Sequence, residues 1–231
     1  LWYGKVLYFP LLKLLWFKLT KSLMSSRSVD FSLESLRPAI LNALHSFRSL
    51  PRERWFREIL LCLLTPQSSP YRAEQAMVAL EEQGFFSGAL GQERIASILR
   101  SPERYVRFHN VKAGRLLQAL EQRDEIEAYL YEEGAPTDER EFLVRTVNGF
   151  GYKEASHALR NIGRRNLAIL DRHILKSLHL VGALLEVPRS ITPRRYLEIE
   201  AVFASYAESI GEPMDVLDLF YWAQYGGGVF K

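Results

Sequence analysis

Lys153 and Asp171, eighteen residues apart in this 231-residue chain, are an amine and a carboxylate of the types that could do covalent chemistry together. An amine that has lost its proton attacks an electrophilic carbon and can hold it as a Schiff base. A carboxylate beside it can accept that proton and steady a developing positive charge. A lysine ammonium is protonated at neutral pH, with an ordinary pKa of about 10.4. A place at a helix N-terminus in a partly dry cleft favours the neutral amine. The bland alternatives are a lysine that touches phosphate and an aspartate that only caps a helix.

The segment before the lysine reads Val147-Asn148-Gly149-Phe150-Gly151-Tyr152-Lys153. An amphipathic helix predicted over Asp138–Thr146 enters it, and a second, over Lys153–Asn161, leaves it. Gly149 and Gly151 permit positive φ and close backbone approach. The following helix start presents unpaired N–H groups and a positive dipole end, which together suit a phosphate. An ordinary helix–helix turn is the competing reading. Asp171 opens another predicted helix, Arg172–Ala183, and is expected to be its N-cap.

Composition bounds the rest. Hydrophobic residues make up 48% and charged residues 25%, enough for a substantial core. The net charge of +3 comes from the first twenty-three residues, which hold four lysines and no acid. Local charge is more informative: from Arg140 to Lys176 there are eight Lys/Arg against three acids, as on a phosphate-binding face or simply a solvated one. The single cysteine, Cys62, excludes a disulfide framework, a Cys-rich zinc site and a four-cysteine iron–sulfur cluster; it reads as a buried small hydrophobe. No metal or cofactor is expected, and the compartment is a reducing cytoplasm.

Residues 1–23 do not begin with Met, and Pro10 and the lysines break their apolar residues well short of the ~20 that span a bilayer. They read as an upstream or non-native extension, with Met24 as the natural start and no membrane partner. A membrane-associated protein is the competing reading, and it rests on those residues alone. From Ser32 onward the periodicity is helical, with about ten short helices and no alternation long enough for a sheet: an all-α fold.

GFGYKEASHALRNIG followed by LAILDRHIL resembles the archaeal-type second family of 8-oxoguanine DNA glycosylase/AP lyases, within the helix-hairpin-helix glycosylase superfamily. The resemblance runs from about Phe31 to Lys231. The cysteine count excludes the iron–sulfur branch that resembles endonuclease III. The resemblance implies two helical lobes with the active-site cleft between them: residues 64–170, with the hairpin at about 138–162, and a discontinuous lobe of 24–63 plus 171–231. It also implies excision of 8-oxoguanine from damaged double-stranded DNA, then strand cleavage by β-elimination through a Lys153 Schiff base. Asp171 is then the carboxylate partner, and Gly149 and Gly151 bind DNA phosphate. Such an enzyme is expected to be a monomer at the nucleoid.

The same resemblance assigns a pocket for a flipped-out base. Gln67, in Leu64-Thr65-Pro66-Gln67-Ser68, would fill the gap that the base leaves; a helix cap is the alternative. Phe108, in Arg107-Phe108-His109-Asn110-Val111-Lys112-Ala113, and Trp222 would stack on the two faces of the base. Asp218, four residues before Trp222 on the same helical face, would accept from the purine edge. Lys231 would take part in recognition, although Gly226-Gly227-Gly228 before it reads otherwise as a frayed tail. Two other functions stay open: a noncatalytic helix-hairpin-helix DNA-binding protein, or a glycosylase/lyase for a different damaged base.

Overall fold

Trp55–Leu64 is apolar on nearly every side, and the computed structural model, which describes residues 32–226, buries all ten of its residues. A helix apolar all round belongs in the middle of a domain, and the others wrap it. In chain order the helices are α1 (Leu33–Arg48), α2 (Trp55–Leu64), α3 (Pro70–Glu82), α4 (Gln92–Arg100), α5 (His109–Glu121), α6 (Arg123–Tyr131), α7 (Pro136–Thr146), α8 (Tyr152–Asn161), α9 (Arg172–Leu180), α10 (Pro193–Ser209) and α11 (Met214–Gly226). Three short 3-10 turns join them, and no strand occurs among the described residues.

Local chemistry sets many of the boundaries. Ser32 and Thr192 cap α1 and α10 by accepting from the backbone N–H three residues on, and proline occupies the first turn of α3, α7 and α10. α7 therefore begins at Pro136, two residues before its predicted start. α9 stops at Leu180, three residues short of the predicted Ala183. There Gly182 turns left-handed at φ 78°, and the Ala183 N–H closes back on the Leu178 carbonyl at 2.8 Å.

The buried apolar residues fall into three groups. The largest runs from Leu50 to Leu167 and includes α2. Residues 55–63, grouped with the discontinuous lobe on the sequence alone, thus pack with the middle of the chain. A second group runs from Ala168 to Tyr221, and a third joins Ile40 and Leu44 of α1 to Val216 and Leu219 of α11. The chain passes from the first to the second between Leu167 and Ala168, just ahead of Asp171.

Candidate active site

The hairpin forms where α7 runs into Val147 and α8 leaves Gly151. Val147 and Phe150 are buried and brace the turn, closed by the Phe150 N–H on the Val147 carbonyl at 3.0 Å. Gly149 carries it at φ 97°, and a Cβ there would lie 2.6 Å from Cζ of Arg115. Gly151 differs from expectation: its φ of −108° suits any residue, and an added Cβ would make only an ordinary contact at 3.5 Å. It serves as an N-cap without a side chain, so no side-chain cap bonds the first-turn N–H groups of α8. α5 braces the turn from behind, with Arg115 across Gly149 and Gln118 Oε1 accepting from Asn148 Nδ2 at 2.8 Å.

Lys153 is the second residue of α8, half-buried, with Nζ 3.7 Å from Glu154 Oε1. Asp171 caps α9 as expected: its Oδ1 accepts from the N–H groups of His173 at 2.7 Å and Ile174 at 2.9 Å. Both bonds fall on one oxygen, and Oδ2 makes no hydrogen bond among the described residues.

A buried cluster joins the lysine and aspartate segments. The Tyr152 ring lies against Tyr196 at 5.4 Å. Tyr196 Oη donates to the Ala168 carbonyl at 2.7 Å and accepts from the Leu170 N–H at 3.2 Å. Arg140, 1% exposed, sits over both rings and makes a two-pronged pair with Glu200 at 2.5 and 2.9 Å. Glu200 also accepts from the Ala168 N–H at 2.9 Å. One internal arginine thus ties α7, α8, α10 and the segment leading to Asp171. Charges buried this deeply persist only when paired, and here the two terminal nitrogens carry the pairing while Nε, also buried, has no acceptor among the described residues.

A second ion pair joins the hairpin to α11. Arg160 Nη1 meets Asp218 Oδ2 at 2.6 Å, and the arginine also covers the Phe47 ring. Burial pushes the Asp218 carboxyl up to about 7; Arg160 opposes the shift, while Asp171 and Asp215 add to it. Asp218 is therefore not an unpaired acceptor, because one oxygen already belongs to Arg160. Trp222 is half-buried one turn further along, and Tyr225 packs on His173 at 4.9 Å, closing α11 over the start of α9.

The basic stripe is only partly a surface. Arg140, Arg160 and Arg164 pair with Glu200, Asp218 and Glu139 and are largely buried, whereas Arg145, Arg165, Arg172 and Lys176 are exposed. Gln67 and Phe108 are exposed as well, each in the left-handed region at φ 54° and 59°. For a bulky residue such as Phe this is an outlier that costs about 1–3 kcal/mol unless the surroundings enforce it. Lys231 and residues 1–23 lie outside the described residues. Among those described, no His/Cys/Asp/Glu group is arranged to hold a metal, and no helix is long and apolar enough to cross a membrane. Sequence does not single out Arg115 or Tyr196, and it reads Arg140 and Arg160 only as members of the basic stripe; their partners are distant in the chain and leave no local pattern.

Residues 40–212 match the family described as 8-oxoguanine DNA glycosylase. An 8-oxoguanine DNA glycosylase/AP lyase of Fusobacterium nucleatum is 37% identical over 180 residues, 75% of this chain and 81% of the relative. One from Methanocaldococcus jannaschii is 35% identical over 189 residues, 80% and 87% of the two chains. Among solved structures, the 8-oxoguanine DNA glycosylase of Thermotoga maritima superposes with a TM-score of 0.74 at 31% identity, over 92% of this chain and 98% of that one. The M. jannaschii 8-oxoguanine glycosylase/lyase, in complex with a 15mer DNA containing 8-oxoguanine, gives 0.72 at 29% identity, over 94% and 100%.

Proposed function

This chain belongs to the 8-oxoguanine DNA glycosylase family, and from that premise we propose that it excises 8-oxoguanine from duplex DNA and then cuts the strand, with Lys153 as nucleophile. The observation that carries the assignment of residues is the Tyr152–Tyr196–Leu170 connection, which fastens the backbone beside Lys153 to the backbone beside Asp171.

Breaking the glycosidic bond leaves positive charge on the sugar, and the departing base takes the electron pair. Lys153 bonds to C1′ as the bond to the base breaks, and Asp171 accepts the proton that the amine gives up. Ring opening converts the adduct to a Schiff base. Loss of a proton from C2′ then expels the 3′ phosphate, and water releases the lysine.

The open first turn of α8, with Gly149 and Gly151, holds a backbone phosphate without reading sequence. The nucleotide enters between a lobe built on the apolar group from Leu50 to Leu167 and one built on α1 and the residues from Ala168 onward. Phe108 and Trp222 sandwich the base, Asp218 offers its remaining oxygen to the purine edge, Lys231 adds to recognition, and Gln67 fills the vacated stack. The enzyme acts as a monomer in the cytoplasm, on nucleoid DNA.

A panel of duplexes carrying single lesions, scored separately for base release and strand scission, tests this. Release of 8-oxoguanine with scission supports it. Binding without either reaction identifies a noncatalytic DNA-binding protein, and preference for another lesion reassigns the substrate.

A further inference from the structure

The loops that carry Gln67 and Phe108 share an internal anchor. Lys112 lies in the first turns of α5, 2% exposed. Its Nζ donates to the carbonyls of Leu64 and Pro66, both at 2.8 Å, and to Ser68 Oγ at 3.3 Å. Ser68 Oγ in turn accepts from the Arg107 N–H at 3.0 Å. An ammonium has three protons to donate, and all three are placed.

These contacts bracket the two exposed residues closely. Leu64, Pro66 and Ser68 lie on both sides of Gln67, and Arg107 immediately precedes Phe108. Both bracketed residues hold a left-handed backbone that neither would adopt freely. Such conformations persist where neighbouring bonds over-determine them. What an apolar side chain of similar length would lack is donors for the carbonyls of Leu64 and Pro66, and the ammonium supplies both from the helix that follows Phe108. The partners are neutral; burial, with Arg115 nearby, lowers the Lys112 pKa to about 8.

We propose that Lys112 is a positioning residue that holds Gln67 and Phe108 in fixed register, so that the residue entering the stack and the residue receiving the base move as one unit. It does so without touching DNA. Farther along the same helix, Arg115 and Gln118 brace the phosphate-binding turn, so α5 measures the distance from phosphate to base. The inference rests on the gap-filling and stacking roles given above to Gln67 and Phe108.

The test compares single-turnover release of 8-oxoguanine with scission of a preformed abasic site, which needs no base to be stacked. Lys112→Met is expected to slow base release by about tenfold or more and scission by less than about threefold. In a Gln67→Ala/Phe108→Ala background the same change should add less than about twofold, because the groups it positions are gone. Ser68→Ala should act in the same direction with smaller effect, and it decides the matter if Lys112→Met does not fold. Equal slowing of both reactions, unchanged base release, or an undiminished factor in the double-variant background overturns the proposal. Full base release by Gln67→Ala and Phe108→Ala refutes the pocket reading; their loss beside an unaffected Lys112→Met refutes the clamp alone.

Discussion

The ring of Tyr152 rests 5.4 Å from that of Tyr196, so the residue next to Lys153 is packed against the side chain whose hydroxyl holds the backbone just ahead of Asp171. Lys153 and Asp171, the proposed nucleophile and carboxylate, stand at the starts of different helices, α8 and α9, near the junction between the two larger apolar groups. Their relative placement depends on this contact and on the Arg140–Glu200 pair beneath it.

Tyr196→Phe keeps the ring and removes the hydroxyl bonds to Ala168 and Leu170. Leaving those backbone groups unpaired should cost about 1–3 kcal/mol of unfolding free energy, read by urea denaturation. Base release and abasic-site scission should fall together, because the change shifts the pair rather than the pocket.

Asp171 caps α9 and is proposed to accept a proton as well, and two substitutions separate the two roles. Asparagine caps a helix as well as aspartate but is a far poorer proton acceptor. Asp171→Asn should therefore melt close to the parent and lose about a hundredfold in single-turnover base release. Asp171→Ala should lose the cap too, at about 1 kcal/mol. Near-parental activity in Asp171→Asn would reduce the residue to a cap.

The two hairpin glycines should not respond alike. Gly149→Ala meets both the left-handed φ and the Arg115 side chain, and should cost about 1–3 kcal/mol with weakened DNA binding. Gly151→Ala should leave stability nearly unchanged. Thermal melts and DNA titrations at two salt concentrations check both.

Asp218 makes stability depend on pH. Its folded-state pKa is raised to about 7 from an ordinary 3.8, so the folded protein holds a proton that the unfolded chain releases. That contribution is complete below about pH 4 and is lost as pH rises through 7. Relative to Asp218→Asn, the parent should lose stability across that window, by at most about 1.4 kcal/mol per pH unit. Parallel curves for the two proteins would place the carboxylate in an ordinary environment.

What could be read from the sequence was local. The N-cap at Asp171, the turn at Gly149 and the all-helical pattern each depend on residues within a few positions of one another. Arg140 finds Glu200 sixty residues away, and Arg160 finds Asp218 fifty-eight away. No periodicity announces such pairs, so an apparent surface stripe of base contained three internal ties. Gly151 shows the same limit from the other side: glycine is compatible with an unusual backbone, but only the fold shows whether one is used. The left-handed Gln67 and Phe108 could not be foreseen either, because neither residue type signals that geometry.

The most direct measurement is reductive trapping. Borohydride added to the protein with an 8-oxoguanine duplex should freeze the Schiff base as a covalent protein–DNA adduct, visible as a shifted band, with the DNA mapped by peptide mass to Lys153. Lys153→Gln should give none, while still binding the duplex. An undiminished adduct in Lys153→Gln, or attachment at another residue, would contradict the assignment of the nucleophile.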